Sequence, residues 1–292
     1  MLTRRRLLTD VPLAVVAALA LKPAQARADL AAELTRLEQG SGGRLGVAVL
    51  DTATGVVTGQ RRDERFPMCS TFKATLAAAV LSRVDAGKES LSRRVAFTRS
   101  DLLSYSPVLE PRVAEGAVSV AELCEAAVTR SDNAAANLLL ASVGGPAGYT
   151  AFIRGLGDPV TRLDRIELDL NTALEGDPRD TTTPAAMVSD LRALVLGDAL
   201  SKTSRDLLTT WLLGNKTGDA RLRAGMPAGW RVGDKTGTGD NGTANDIAVV
   251  WPAQGAPIVI AAYLTRASVS RDQQSAVLAN VGRAVAASFD PK

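Results

Sequence analysis

Strand patterning lies at both ends of this 292-residue chain and helical patterning fills its middle. That order makes one domain interrupted by another the simplest architecture. Leu30, Leu34 and Leu37 repeat at helical spacing from Asp29 to Glu38, and the pattern stops at the glycine-rich run Gly40 to Gly43. Arg44 to Leu50 and Gly55 to Gln60, rich in Val, read as a hairpin about the turn residues Asp51 to Gly55. From Ser70 to about Asp198 the pattern is helical. Phe72 to Ala86 ends at Gly87, Ser119 to Glu122 is a capping box, and Thr183-Pro184 supplies an N-cap with proline at the first helical position. Strands return at Gly233 to Thr238, Ala244 to Trp251 and Pro257 to Thr265, before a last helix from Gln273 to Ser288 with Val277, Leu278, Val281 and Val285 on one face. The expected fold is α+β. A five-stranded antiparallel sheet flanked by helices comes from residues 29–66 and 214–292, and an all-α lobe comes from residues 67–213.

The first 28 residues stand apart. A basic start at Arg4, Arg5 and Arg6 leads into an apolar run from Val11 to Leu21, followed by small-x-small sites at Ala24 to Ala28. The run is too short for the ~20 residues that span a bilayer and reads as an export signal. The paired arginines fit a twin-arginine signal and an ordinary secretory n-region equally. Five basic side chains against Asp10 put +4 of the chain's formal +3 in this segment, leaving −1 for the rest. No basic footprint for nucleic acid or anionic lipid survives cleavage, so neither is an expected partner, nor is stable membrane association. An exported, periplasmic or secreted monomer is expected. Cys69 and Cys124, the only cysteines, read as small buried hydrophobes rather than a disulfide framework.

Chemistry is carried by three motifs in order: Ser70-Thr71-Phe72-Lys73, Ser131-Asp132-Asn133 and Lys235-Thr236-Gly237. The chain has no histidine. A Ser-His-Asp triad is therefore impossible, and a zinc hydrolase is disfavoured because catalytic zinc is nearly always held by imidazole. Neither metal nor organic cofactor is expected. Ser70 and Lys73 are three apart at a helix start and share a face, and a Lys73 made neutral by burial and nearby cations can take the serine proton. Taken alone, that pair also fits a polar helix start with an exposed lysine. The Ser131 hydroxyl suits proton relay and the Asn133 amide suits a substrate amide, although taken alone the triplet is better explained as an Asx turn or cap. Lys235, Thr236 and Thr238, on a strand lightened by Gly237 and Gly239, suit a carboxylate; a weakened edge strand is the plain alternative.

With these residues the chain resembles the penicillin-recognising serine enzymes, most closely the class A serine β-lactamases, over essentially the whole length from Asp29. The resemblance is sharpest from Arg162 to Asn171 and at Arg179-Asp180, which match that family's active-site Ω-loop, here residues 165–180 closed by an Arg165–Asp180 ion pair. It implies Ser70 as nucleophile, Lys73 and Glu167 sharing the acylation base, and Ser131 as the shuttle to the lactam nitrogen. It also implies a deacylating water held by Glu167 and Asn171. Lys235, Thr236 and Thr238 would bind the substrate carboxylate, Tyr105 would wall the cleft, and Asn133 would hold the acyl-amide side chain. Arg221 matches a second carboxylate-binding arginine of some subgroups, with a solvated helix-flanking charge as the alternative. The implied activity is hydrolysis of penicillins and cephalosporins.

Some positions depart from the family pattern. Ile166 and Leu168 replace the Trp and Pro often flanking the glutamate, so a cis peptide after Glu167 would be a non-proline one. Ala77 stands where some members pair a cysteine with the match of Cys124, and Gly239 stands where carbapenem-hydrolysing members pair one with Cys69. No disulfide is expected at either place, and strong carbapenem turnover is disfavoured. Two rivals share the first three motifs: a penicillin-binding D,D-peptidase, which lacks the Glu167 constellation, and a β-lactam sensor that stays acylated. A sensor is expected to carry a transmembrane anchor and a signalling domain, which the sequence does not show.

Overall fold

A computed structural model describes residues 28–289. The export-signal segment lies outside the described residues apart from Ala28. From the N-terminus the elements are α1 (residues 28–41), β1 (Arg44–Asp51), β2 (Val57–Gln60), β3 (Phe66–Pro67), α2 (Phe72–Asp85), β4 (Arg94–Ala96) and β5 (Ala117–Ser119). Then follow α3 (Val120–Thr129), α4 (Asn133–Ser142), α5 (Gly145–Gly155), β6 (Thr181–Thr182), α6 (Pro184–Leu191) and α7 (Lys202–Leu213). The chain closes with β7 (Arg231–Gly239), β8 (Thr243–Trp251), β9 (Ile258–Thr265) and α8 (Arg271–Phe289).

The α+β fold is as expected: five antiparallel strands in the order β2-β1-β9-β8-β7, with helices against both faces. The N-terminal hairpin joins the C-terminal meander through β1 and β9, in register from Arg44 opposite Thr265 to Asp51 opposite Ile258. Alternation along each strand divides the core. Leu45, Val47 and Val49 of β1 and Ile260, Ala262 and Leu264 of β9 face Leu30, Leu34 and Leu37 of α1 and Leu278, Val281 and Val285 of α8. Ala48 and Leu50, with Val259, Ala261 and Tyr263, face the cluster built by the central helices. Both faces are covered, so β1 is buried along nearly its whole length.

Among those helices α2 is apolar on every side, with Phe72 to Leu81 all buried. A helix of that composition belongs in a core, and its small residues Ala74, Ala77, Ala78 and Ala79 let neighbours approach closely. Local signals act where expected. Ser119 and Glu122 close a capping box on α3, and Thr183 caps α6 ahead of Pro184. The short ribbons β3–β6 and β4–β5 and a π-helical turn at Arg192–Leu196 were not expected. Pairings two or three residues long leave no periodic trace, and only tertiary contact makes them.

Candidate active site

Ser70 lies in a 3₁₀ turn, Cys69–Thr71, that leads directly into α2, and Cys69 before it adopts a left-handed φ of 46°. Three residues on, Lys73 is fully buried. Its Nζ lies 2.5 Å from Asn133 Oδ1, 2.9 Å from the Ser131 carbonyl and 3.0 Å from Glu167 Oε1. Burial holds the Lys73 amine below the ordinary lysine value, and the Glu167 carboxylate opposes that shift. Ser70 Oγ lies within 3.3 Å of the same Glu167 Oε1. One carboxylate oxygen thus touches both the serine and the lysine.

Glu167 reaches this place on the loop between α5 and β6. The loop's neck is closed by Arg165, whose Nε donates to Asp180 Oδ2 at 2.6 Å. Asp180 Oδ1 accepts from the backbone N–H groups of Asp164 and Arg165 at 2.7 and 2.9 Å. The backbone of Glu167 is gripped from α4: its N–H donates to Asn137 Oδ1 at 3.0 Å, and its carbonyl accepts from Asn137 Nδ2 at 2.9 Å. Asn171 Nδ2 donates to Glu167 Oε2 at 2.5 Å. The Glu167–Leu168 peptide bond is cis.

The second and third motifs converge on the same point. Lys235 of β7 is fully buried, and its Nζ donates to Ser131 Oγ at 3.0 Å and to the Thr236 carbonyl at 2.7 Å. Burial, and then the neighbouring Lys73 charge, push the Lys235 amine well below the ordinary lysine value. Asp132 does scaffold work, capping α4 at Ala135 N and accepting from Val108 N and Leu109 N at 2.9 and 3.0 Å. Asn133 holds the Ser104–Tyr105 segment, its Nδ2 donating to the Ser104 carbonyl at 2.8 Å and its N–H to the Tyr105 carbonyl at 3.1 Å. Tyr105 stands 59 % exposed at the mouth. Arg221 is half-buried and donates to Thr238 Oγ1, the Gly237 carbonyl and the Asn245 carbonyl, each at 2.7 Å. Desolvation lowers its pKa, but a guanidinium so far above neutrality stays charged. Thr236 Oγ1 pairs with Thr217 Oγ1 at 2.5 Å.

A cleft of about 550 Å³ is lined by Ser70, Tyr105, Ser131, Asn133, Asn171 and Thr238 among others, including Thr236 and Arg221. Lys73, Glu167 and Lys235 stand immediately behind it through the contacts above. The candidate catalytic and substrate-binding residues named from the sequence therefore meet at one place. Sequence reasoning missed Asn137, Thr217, Asp240 and Arg271. Asn137 lies one turn beyond Asn133, so its shared helix face was a usable signal. Thr217, Asp240 and Arg271 line the cleft only because the chain folds back there, and no local pattern marks them. Cys69 and Cys124 are buried free thiols. A Cβ at Gly239 would come within 2.6 Å of Cys69 Sγ and 2.7 Å of the Asn171 carbonyl, so β7 and the Ω-loop touch through a glycine. Among the described residues no cluster of three or more Cys, Asp or Glu side chains is placed to hold a metal.

Residues 29–289 match the family model of the beta-lactamase enzyme family. The chain is 51% identical over 257 residues, 88% of each chain, to beta-lactamase CTX-M-8 of Citrobacter amalonaticus. It is 49% identical to beta-lactamase L2 of Stenotrophomonas maltophilia, over 97% of this chain and 98% of that one. Among solved structures, a putative class A beta-lactamase, PenP, from Rhodopseudomonas palustris superposes with a TM-score of 0.87 at 65% identity, over 88% of this chain and 98% of the other.

Proposed function

Since this chain belongs to the class A serine β-lactamases, we propose that it hydrolyses the β-lactam amide of penicillins and cephalosporins through an acyl-enzyme on Ser70. In this reading the cleft runs between the sheet lobe (29–66 and 214–292) and the helical lobe (67–213). Ser70 Oγ attacks the lactam carbonyl while its proton passes to Glu167, which is in reach of it, or to Lys73, which touches the same carboxylate oxygen. The N–H groups of Ser70 and Thr238 hold the oxyanion, a contribution of roughly 10²–10³ in rate per donor. The C–N bond then breaks, and Ser131, hydrogen-bonded to Lys235, delivers a proton to the departing nitrogen. Lys235, Thr236, Thr238 and Arg221 receive the substrate carboxylate, and Asn133 and Tyr105 flank the acyl side chain.

Release decides between a hydrolase and a trap. Glu167 takes a proton from a water that attacks the ester carbon, which frees Ser70. Asn171 donates to Glu167 Oε2, and its own Oδ1 is buried without a partner among the described residues, free to accept from that water. The observation that carries the proposal is this fastened carboxylate: Glu167 Oε1 is 3.3 Å from Ser70 Oγ and 3.0 Å from Lys73 Nζ. Mixing the purified protein with a chromogenic cephalosporin tests it. Sustained turnover is expected, whereas a burst of one equivalent followed by silence would place the protein with the D,D-peptidases or the acylated sensors.

No helix among the described residues is long and apolar enough to cross a membrane. Export of a monomer completes the proposal, with residues 1–28 removed. A mature N-terminus that still carries Arg4 to Arg6 by mass spectrometry, or a dimer by light scattering, would overturn the corresponding part.

A further inference from the structure

The two oxyanion donors sit on separate elements, Ser70 on the turn before α2 and Thr238 on β7, and something must fix the distance between them. Hydrogen-bond donors lose their effect when displaced by a fraction of an ångström. Gly237 sets the lower bound. A Cβ there would lie 2.8 Å from the Met68 carbonyl oxygen and 3.2 Å from Thr71 N, so β7 already rests on the backbone of the turn. A van der Waals contact stops two segments approaching, but it does little to stop them separating.

Asn245 supplies the upper bound. It lies on β8 directly opposite Gly237, one position from the Ala244–Thr238 pair, and is fully buried. Its Nδ2 crosses to the turn and donates to the Pro67 carbonyl at 2.9 Å and the Met68 carbonyl at 3.1 Å. Its Oδ1 has no partner among the described residues, so the amide serves there as a donor. The bonded carbonyls immediately precede Cys69, whose left-handed φ is a conformation that persists only when its surroundings over-determine it. The Ser70 N–H leaves the chain directly after that residue. We propose that Asn245 is a positioning residue of the oxyanion hole, tying the Thr238-bearing strand pair to the Ser70 turn so that both N–H groups point at one oxygen. The proposal rests on the acyl-enzyme reading of the site.

The test uses Asn245→Asp, which keeps shape but loses both donors, and Asn245→Ala. The probe is 3-aminophenylboronic acid, which forms a tetrahedral adduct on a serine with an oxygen in the oxyanion hole. Both variants are expected to bind it about 10–100-fold more weakly and to acylate with a cephalosporin more slowly by a similar factor. The apparent dissociation constant of the pre-acylation complex is expected to stay within about twofold. If Asn245→Asp fails to fold, Asn245→Ala carries the same decision. A folded variant that has lost only thermal stability, with boronate affinity and acylation rate near wild type, overturns the proposal. Wild-type protein that neither binds the boronate nor acylates would sink the site reading itself, a result distinct from failure of Asn245 alone.

Discussion

Lys73 Nζ and Glu167 Oε1 stand 3.0 Å apart with both side chains closed off from solvent. Taking both charges out of water is costly, and their attraction offsets that cost only with good geometry and further hydrogen bonds. Those bonds come from Asn133, Ser131 and Asn171. Glu167 Oε1 also lies 3.3 Å from Ser70 Oγ, so in the proposed mechanism the serine proton has two neighbouring acceptors.

Replacing the carboxylate should separate the two half-reactions. Glu167→Gln is expected to acylate and then stall, with deacylation slower by about 10²–10⁴-fold, the usual span for a general base. Intact-mass spectrometry should show the acyl adduct persisting on Ser70. Steady turnover without an adduct would place the deacylating base elsewhere.

The same variant bears on Lys73. Burial lowers its pKa and the Glu167 carboxylate raises it, so removing the carboxylate should lower it further. A base is lost when it protonates, so the acid limb of acylation should move to lower pH in Glu167→Gln. Stopped-flow acylation across pH 4 to 8 reads this. Acylation abolished at every pH would assign that proton to Glu167 instead.

The Arg165–Asp180 contact predicts how firmly Glu167 is held. Asp180 is almost fully buried and accepts from two backbone N–H groups as well as from Arg165. Asp180→Asn leaves the half-buried Arg165 guanidinium with only the 3.9 Å contact to Asp177 as a charge partner, at a cost of about 3 kcal/mol. Lower stability to urea, faster proteolysis within residues 165–180 and slowed deacylation are expected together. Unchanged loop proteolysis would contradict the assignment.

A second buried carboxyl lies outside the lining of the cleft. Asp190 of α6 is pushed up to about 9, first by burial and then by the facing Asp158 carboxylate. The folded protein keeps its proton where the unfolded chain has lost it, so this group's contribution is full below about pH 4 and fades as pH rises towards 9. Asp190→Asn stays neutral throughout and should gain on the order of 2 kcal/mol at pH 8, a Tm rise of roughly 4–8 °C. The gain should vanish near pH 4. A Tm difference independent of pH would rule out the titration.

Much of this was legible in the chain. Apolar, Val-rich runs bounded by turn residues gave the strands, because β1 and β9 are buried on both faces, each against a different apolar cluster. Capping residues gave the starts of α3 and α6, since a cap is a local hydrogen bond made within a few residues. Ser70 and Lys73 share a face by helix geometry alone. The ribbon of Phe66–Pro67 with Thr181–Thr182 was not legible, because residues so far apart leave no mark on each other's local pattern.

The site divides in the same way. Residue types and the absent histidine by themselves pointed to lysine and carboxylate as the proton-handling groups, since those are the only strong bases the matched segments supply. Sequence could not decide that one oxygen of Glu167 would touch both Ser70 and Lys73, that Asn137 would grip the Glu167 backbone, or that Asn245 would reach Met68. Ångström distances between residues up to 177 positions apart depend on how the elements pack. Packing is settled by the whole core at once rather than by any segment of it.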